Sequence, residues 1–362
     1  MYPLGKGLFA ARNQWYIAAW SKDVTRDPIE RWILNEPIAL YRTRSGAVVA
    51  LEGRCPHRHF PLGKSRVVDD NIQCGYHGIT FSPDGSCVRV PSQNAIPARC
   101  AVKAYPVVEL WQWVWIWMGP PDAADPSRIP DHLAIGLSDS AYQVDGNSYH
   151  EVPGRYMLMH DNLFDLTHFP YLHQSSIASG DFSSAKEIRG QGENWISGQF
   201  EFKDIDCPPI YADMFEYHGR INRDFGMKLF LPCLHVGYDH FFRASASTEQ
   251  HGALLGKLSI YHAITPATTR TAHYFFALGR TFKRDDAEFG RSLMKGIDAV
   301  IDEDMHATRE IESMLGHMDA EPQDLLLKSD TTCVLGRRMF EKMIRREIAQ
   351  AFADKDTDAV QA

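Results

Sequence analysis

The sequence predicts an α+β fold: an N-terminal all-β domain over residues 1–125, then a domain over residues 126–362 in which an antiparallel sheet carries helices. Three observations carry this expectation. Short runs of β-branched and aromatic residues, separated by turn signals, fill the first 120 residues. Pro120, Pro121, Asp122, Asp125, Pro126 and Pro130 then form a polar, proline-rich break. Beyond it, strand-like runs mix with long segments of helical apolar spacing.

Taken in order, residues 14–20, 37–42, 47–51, 72–74 and 107–118 read as strands, with the turn signals Ser-Gly-Ala, Asp-Asp-Asn and Pro-Asp-Gly between them. After the break, residues 155–168 have helical spacing, and 195–202, 227–242, 254–265 and 271–278 read as strands. Residues 287–315 form a long amphipathic helix whose Phe289, Leu293, Ile297, Ile301 and Met305 recur every fourth position. Residues 336–352 form a terminal helix.

Composition excludes several function classes. A net charge of -8 argues against nucleic acid, whose phosphates require basic patches. No run of Lys or Arg suggests a membrane surface. The most apolar stretch, 107–118, is interrupted by Glu109 and Gln112 and falls well short of the roughly 20 residues that span a bilayer. The opening residues lack the layout of a signal peptide, so a cytoplasmic location is expected, and the 7 Cys are expected as ligands or plain thiols.

The first chemical constellation is Cys55-Pro-His57 with Cys74-Gly-Tyr-His77, separated by 16 residues. Each pair sits in a tight loop beside Pro or Gly, so two thiolates and two imidazoles can face one centre. Two thiolates on one iron and two imidazoles on the other make a high-potential [2Fe–2S] cluster. A structural Cys2His2 zinc site is the alternative, but such sites usually pair Cys with Cys and His with His in sequence. His59 reads as a loop residue, and Cys87, Cys100, Cys207, Cys233 and Cys333, which lack paired spacing, read as unliganded thiols.

The second constellation is Asn162, Asp165, His168 and His173. The first three step by three, so they share one side of a helix. Pro170 ends that helix and lets His173 swing back toward His168. Two imidazoles and one carboxylate form a facial triad on Fe(II) with positions open for O2 and substrate. The carboxylate lies elsewhere in the chain. Asp302 and Asp304 both flank the apolar stripe of the long helix, so periodicity leaves the choice between them open.

These motifs resemble the oxygenase component of the Rieske non-haem iron oxygenases over nearly the whole chain. The stretch Asp-Asn-Leu-Phe-Asp-Leu-Thr-His, followed by His-Gln-Ser-Ser-Ile, is similar to the vanillate and dicamba O-demethylase group. The resemblance implies Asp304 as the third iron ligand. It also implies Asp165 as a bridge between the imidazoles of the two centres, in a homotrimer where one subunit's cluster meets the next subunit's iron. Electrons would come from NAD(P)H only indirectly, through a separate reductase or ferredoxin, since no G-x-G-x-x-G or flavin signature is present.

The implied reaction is O-demethylation or monohydroxylation of an aryl ether or aromatic carboxylate with O2; ring dihydroxylation or N-demethylation of another small substrate is the alternative. His235, His262 and Phe241 are the expected substrate contacts. Two readings from other classes remain distinguishable. A pure electron carrier would need only the first constellation, and a zinc-stabilised binding protein would be colourless.

Overall fold

The computed structural model describes residues 9–174, 177, 185, 187–245, 252–319 and 322–361. The chain forms two compact units, one of Ala10–Ile129 with Thr265–Thr269, the other built mainly of Pro130–Ile264 and Arg270 onward.

The first unit is all β. Its strands are β1 (Trp15–Trp20), β2 (Ile29–Ile33), β3 (Glu36–Arg42), β4 (Val48–Glu52), β5 (Arg66–Val68), β6 (Asn71–Gln73), β7 (Thr80–Phe81), β8 (Cys87–Arg89), β9 (Ala104–Tyr105), β10 (Val107–Leu110) and β11 (Trp113–Trp117). They form three sheets, in the orders β1-β11-β10, β2-β3-β4-β9 and β5-β6-β7-β8. Tyr41, Leu51, Leu62, Ile72 and Phe81 make a core between the second and third sheets, and Cys55 and Cys74 belong to it.

Residues 107–118 are not one strand as expected but a hairpin, in which Val107 pairs with Ile116 and Leu110 with Trp113. Trp111 turns the chain with a φ of 56°. A left-handed Trp is rare, so the turn carries no Gly or Asn signal for sequence reasoning to find.

The second unit is built on a seven-stranded antiparallel sheet. Its strands are β12 (Gln143–Val152), β13 (Glu187–Gln191), β14 (Trp195–Asp206), β15 (Arg220–Phe230), β16 (Leu234–Arg243), β17 (Leu254–Thr268) and β18 (Thr271–Arg280), in the order β12-β18-β17-β16-β15-β14-β13. Residues 227–242, expected as one strand, are the end of β15 and nearly all of β16, folded back so that Phe230 pairs with Leu234. Pro232 marks the turn, because it has no N–H to give a ladder.

Helices α1 (Tyr156–Phe164), α2 (Phe169–Leu172), α3 (Pro209–Phe215), α4 (Ala287–Gly316) and α5 (Thr331–Gln361) complete the unit. Among the described residues no helix is long and apolar enough to cross a membrane. The Asp286 carboxylate caps α4 by accepting the Phe289 N–H at 2.8 Å. The buried face of α4 includes Leu293, Val300, Ile301, Asp304, Met305, Thr308 and Glu312.

Two contacts lock α1 to α4. Glu312 accepts from Arg155 Nε at 2.7 Å, Nη2 at 3.0 Å and the main-chain N–H at 3.2 Å. Gly154 lies so close that a Cβ there would stand 2.5 Å from Thr308 Cγ2. These contacts set the spacing of the helices that carry Asn162 and Asp304.

Candidate metal centres and substrate cavity

The two Cys-His loops of the first unit share one hydrogen-bond pattern. The Cys55 carbonyl accepts from His59 N–H and the Cys74 carbonyl from Gly78 N–H, each four residues on. The Cys55 and Cys74 N–H groups donate to Phe60 and Ile79, each five residues on. His59 and Gly78 hold the same place in the two turns, both left-handed, with φ of 57° and 72°. His59 thus closes a turn, which accounts for its lying beside the pattern rather than in it.

The turns bury both thiols, each 2% exposed, and leave His57 and His77 at the surface with ring centroids 4.7 Å apart. Burial, together with the neighbouring Cys74 thiol, pushes Cys55 up to about 11. Two buried sulfurs beside two exposed imidazoles fit a cluster with one thiolate-held and one imidazole-held iron.

The unit also holds a pair that spacing did not reveal. Cys87 and Cys100 are opposite each other next to the Ser86–Ala101 bridge, and burial and then Cys87 push the Cys100 thiol up to about 12.

In the second unit, residues 155–168 are not one helix. Helix α1 stops at Phe164, and Asp165 leaves it with φ -92° and ψ 89°. The Asp165 carboxylate accepts from Thr167 N–H at 3.1 Å and Thr167 Oγ1 at 2.6 Å, so it starts a short 3-10 turn over Leu166–His168. Asp165 meets His168 through its main-chain carbonyl, which accepts from the ring Nδ1 at 2.6 Å, rather than through its carboxylate. The other carboxylate oxygen lies 3.4 Å from Ser329 Oγ. His173 follows the single turn of α2, and Ser175 and Ser176 of the motif lie outside the described residues.

His168, His173 and Asp304 converge, with one donor atom from each lying within 4.8 Å of the others. Asp304 Oδ1 is 3.2 Å from His173 Nε2 and 3.7 Å from His168 Nε2, and it accepts from Asn162 Nδ2 at 2.8 Å. Asp302, the other acid the helical wheel allowed, has an exposed side chain 3.7 Å from His150 Nδ1. The geometry therefore separates the two acids that periodicity could not.

Both rings are held in the tautomer that a metal needs. His168 Nδ1 donates to the Asp165 carbonyl, and His173 Nδ1 donates to Glu303 Oε2 at 2.7 Å. His168 Nε2 is buried with no hydrogen-bond partner, as a lone pair reserved for a cation would be. Burial lowers the His168 pKa. Burial opposes protonation of His173 too, but the Asp304 and Glu303 carboxylates outweigh it and raise that pKa. Glu303 was missed in the sequence because its role depends on a contact 130 residues away.

A cavity opens on the triad, walled by apolar groups such as Leu163, Ile210, Phe225, Met227, Leu258 and Leu293. His262 lines it and accepts or donates at 2.5 Å to Tyr274 Oη, which lines it too. Burial pushes His262 down to about 3, so its ring is neutral. His235 and Phe241, the other expected contacts, are absent from the cavity wall. They share the inward face of β16 with Asp239, which does line it. His235 is covered by α1, where it meets His160 Nδ1 at 2.7 Å, and Phe241 is covered by Tyr211 and Phe215 of α3.

Comparison with known proteins identifies the families of the two domains. The Rieske [2Fe–2S] domain family matches residues 14–106, and the vanillate O-demethylase oxygenase C-terminal domain family matches residues 152–346. The oxygenase component of dicamba O-demethylase from Stenotrophomonas maltophilia is 32% identical, over 93% of this chain and 99% of its own. The chain belongs to the Rieske non-haem iron oxygenases.

This oxygenase is also 30% identical to the iron–sulfur subunit of the toluene-4-sulfonate monooxygenase system of Comamonas testosteroni, covering 93% of this chain and 97% of that one. Its fold superposes on dicamba monooxygenase bound to 3,6-dichlorosalicylic acid with a TM-score of 0.84, at 31% identity, over 93% and 98% of the two chains. An N-terminal Rieske β domain and a C-terminal antiparallel-sheet domain with helices are the architecture shared. The oxygenase takes both a [2Fe–2S] cluster and a mononuclear iron, and it is one component of a multicomponent system.

Proposed function

We propose that this oxygenase O-demethylates or monohydroxylates a small aryl ether or aromatic carboxylate at the His168–His173–Asp304 centre, within a catalytic domain over residues 126–362. The observation that carries this is the convergence of two Nδ1-anchored imidazoles and one buried carboxylate on an apolar cavity. His168, His173 and Asp304 would hold an iron that supplies the oxygen chemistry when bound, and Cys55, His57, Cys74 and His77 of the domain over residues 1–125 would hold the cluster that relays electrons to it.

The residues of the chain prepare this chemistry. Asn162 orients Asp304, and the Asp165 carbonyl and Glu303 hold the two rings. The largely apolar wall suits an aromatic ring and disfavours water beside it. For an ether, one O2, two electrons and two protons convert the methoxy group to a phenol, formaldehyde and water. The electrons come from NAD(P)H through a separate reductase or ferredoxin.

We assign the Asp165 recess, where Tyr171 and Leu327 are exposed, as the face that meets the neighbouring subunit's cluster in a homotrimer. We propose a cytoplasmic location, where NAD(P)H and a reductase are at hand. Methoxyarenes and benzoates, supplied with a surrogate reductase, test the proposal through oxygen uptake and formaldehyde release. Formaldehyde equal to the oxygen consumed upholds O-demethylation. A ring diol from every accepted substrate overturns it in favour of dihydroxylation.

A further inference from the structure

The wall of the cavity holds an ion pair that the reaction does not use. Arg223 of β15 and Asp239 of β16 are each 1% exposed. Arg223 Nε donates to Asp239 Oδ1 at 2.8 Å and Nη2 to Oδ2 at 2.7 Å, a two-pronged pairing. Burial raises the Asp239 carboxyl above its ordinary value, and the Arg223 and Tyr211 bonds offset this only in part. Both of its oxygens nevertheless accept an N–H from the guanidinium, and the Tyr211 hydroxyl bonds it as well, so the geometry holds the carboxylate form.

The guanidinium is enclosed on its other sides. It lies 5.1 Å from the ring centroid of Tyr211, 5.5 Å from Phe225 and 5.3 Å from Phe241. Phe241, expected in the cavity, thus stands behind Arg223.

This pair leaves the β15–β16 wall of the cavity without net charge. Arg223 is the one Lys or Arg side chain among the described residues that line it, and its charge is matched by Asp239. His262 offers a neutral ring. A carboxylate or sulfonate on the substrate would enter an apolar slot that has no unmatched cation on this wall. It would lose its hydration and sit near the Asp239 charge. A neutral ring loses little on entry, and its ether oxygen can take a hydrogen bond from the His262–Tyr274 pair.

We infer that the cavity selects an aromatic substrate without a charged substituent, a neutral aryl ether, and that the Arg223–Asp239 pair determines this specificity. The inference rests on the aryl-substrate reading above and narrows it. It also separates the two substrate kinds which that reading left together.

The test uses holoenzyme and matched ligands: the ortho, meta and para methoxybenzamides against the corresponding methoxybenzoates, nearly equal in shape and different in charge. Anaerobic calorimetric titration without reductase measures binding apart from turnover. The best amide is expected to bind at least about tenfold more tightly than the best carboxylate, a difference of about 1.4 kcal/mol. Asp239→Asn leaves the Arg223 charge unmatched and should reverse the preference. The double variant Arg223→Gln with Asp239→Asn removes both charges at nearly constant shape and should restore it. Retained red-brown colour and a single cooperative melting transition above the assay temperature show that a variant is folded.

Tighter binding of the carboxylate by the unaltered enzyme, or equal affinity for both, overturns the inference. So does an Asp239→Asn variant that is folded and keeps the original preference. Formaldehyde release from either ligand class would still uphold the aryl-substrate reading, so the two can fail separately.

Discussion

His173 is gripped from both sides by consecutive acids of one helix: its Nδ1 donates to Glu303 at 2.7 Å, and its Nε2 faces Asp304 at 3.2 Å. Adjacent residues on a helix point about 100° apart, so the ring sits between them. Glu303 fixes the ring while Asp304 shares its task. Glu303→Gln is therefore expected to lower mononuclear iron affinity about 10–100-fold, with the cluster spectrum intact. Iron titration of apoprotein, read against the visible spectrum, measures this. Unchanged iron affinity would remove Glu303 from the site.

Asp304→Ala should lose the mononuclear iron and oxygenation but remain red-brown. Asp302→Ala should stay largely active, because the Asp302 side chain is exposed and lies toward His150. Iron analysis with single-turnover assay decides between them. The reverse pattern would move the ligand by two residues.

Cys55→Ser and His77→Ala should each abolish the visible absorbance of the cluster. Acid-labile sulfide should fall with it, since each change removes one of four donors. Full absorbance in both variants would sink the cluster assignment.

Asp165→Asn should keep both metals, because Thr167 can still donate to the remaining carbonyl oxygen and the His168 bond uses the main chain. Turnover should nevertheless fall about 10–100-fold, because in the proposed trimer the carboxylate takes the imidazole of the neighbouring subunit's cluster. Rapid-mixing measurement of cluster oxidation isolates the step. Normal electron transfer would refute the bridging role, as would full activity in a strictly monomeric enzyme.

Glu312→Ala should destabilise the second unit by about 3 kcal/mol, lowering its melting temperature by roughly 6–12 °C, because it removes the largely buried carboxylate that accepts three bonds from Arg155. Iron should also dissociate faster, since Arg155–Glu312 holds α1 to α4. Thermal melting and iron release together check this. A normal melting temperature would show that the pair contributes little.

The sequence by itself determined whatever depends on near neighbours. Cys55 with His57, and Cys74 with His77, are two and three residues apart in tight turns, so the chain places each pair without help from the rest of the fold. His168 and His173 are linked by one short turn, and the four-residue repeat along α4 marked its buried face. Turns made by unexpected residues escaped notice, as at Trp111, and so did the helix end at Asp165, where a side chain captures Thr167. What tertiary structure alone decided is the partner that each buried face meets. Periodicity allowed Asp302 and Asp304 equally; the packing of α1 on α4, set by Arg155–Glu312 and by the close approach of Gly154 to Thr308, turned Asp304 toward the histidines. The placing of His235 under α1, of Phe241 under α3 and of Asp239 against Arg223 was settled the same way. All three share one face of a single strand, and a period of two states which face a residue is on but not which helix, cavity or cation covers it.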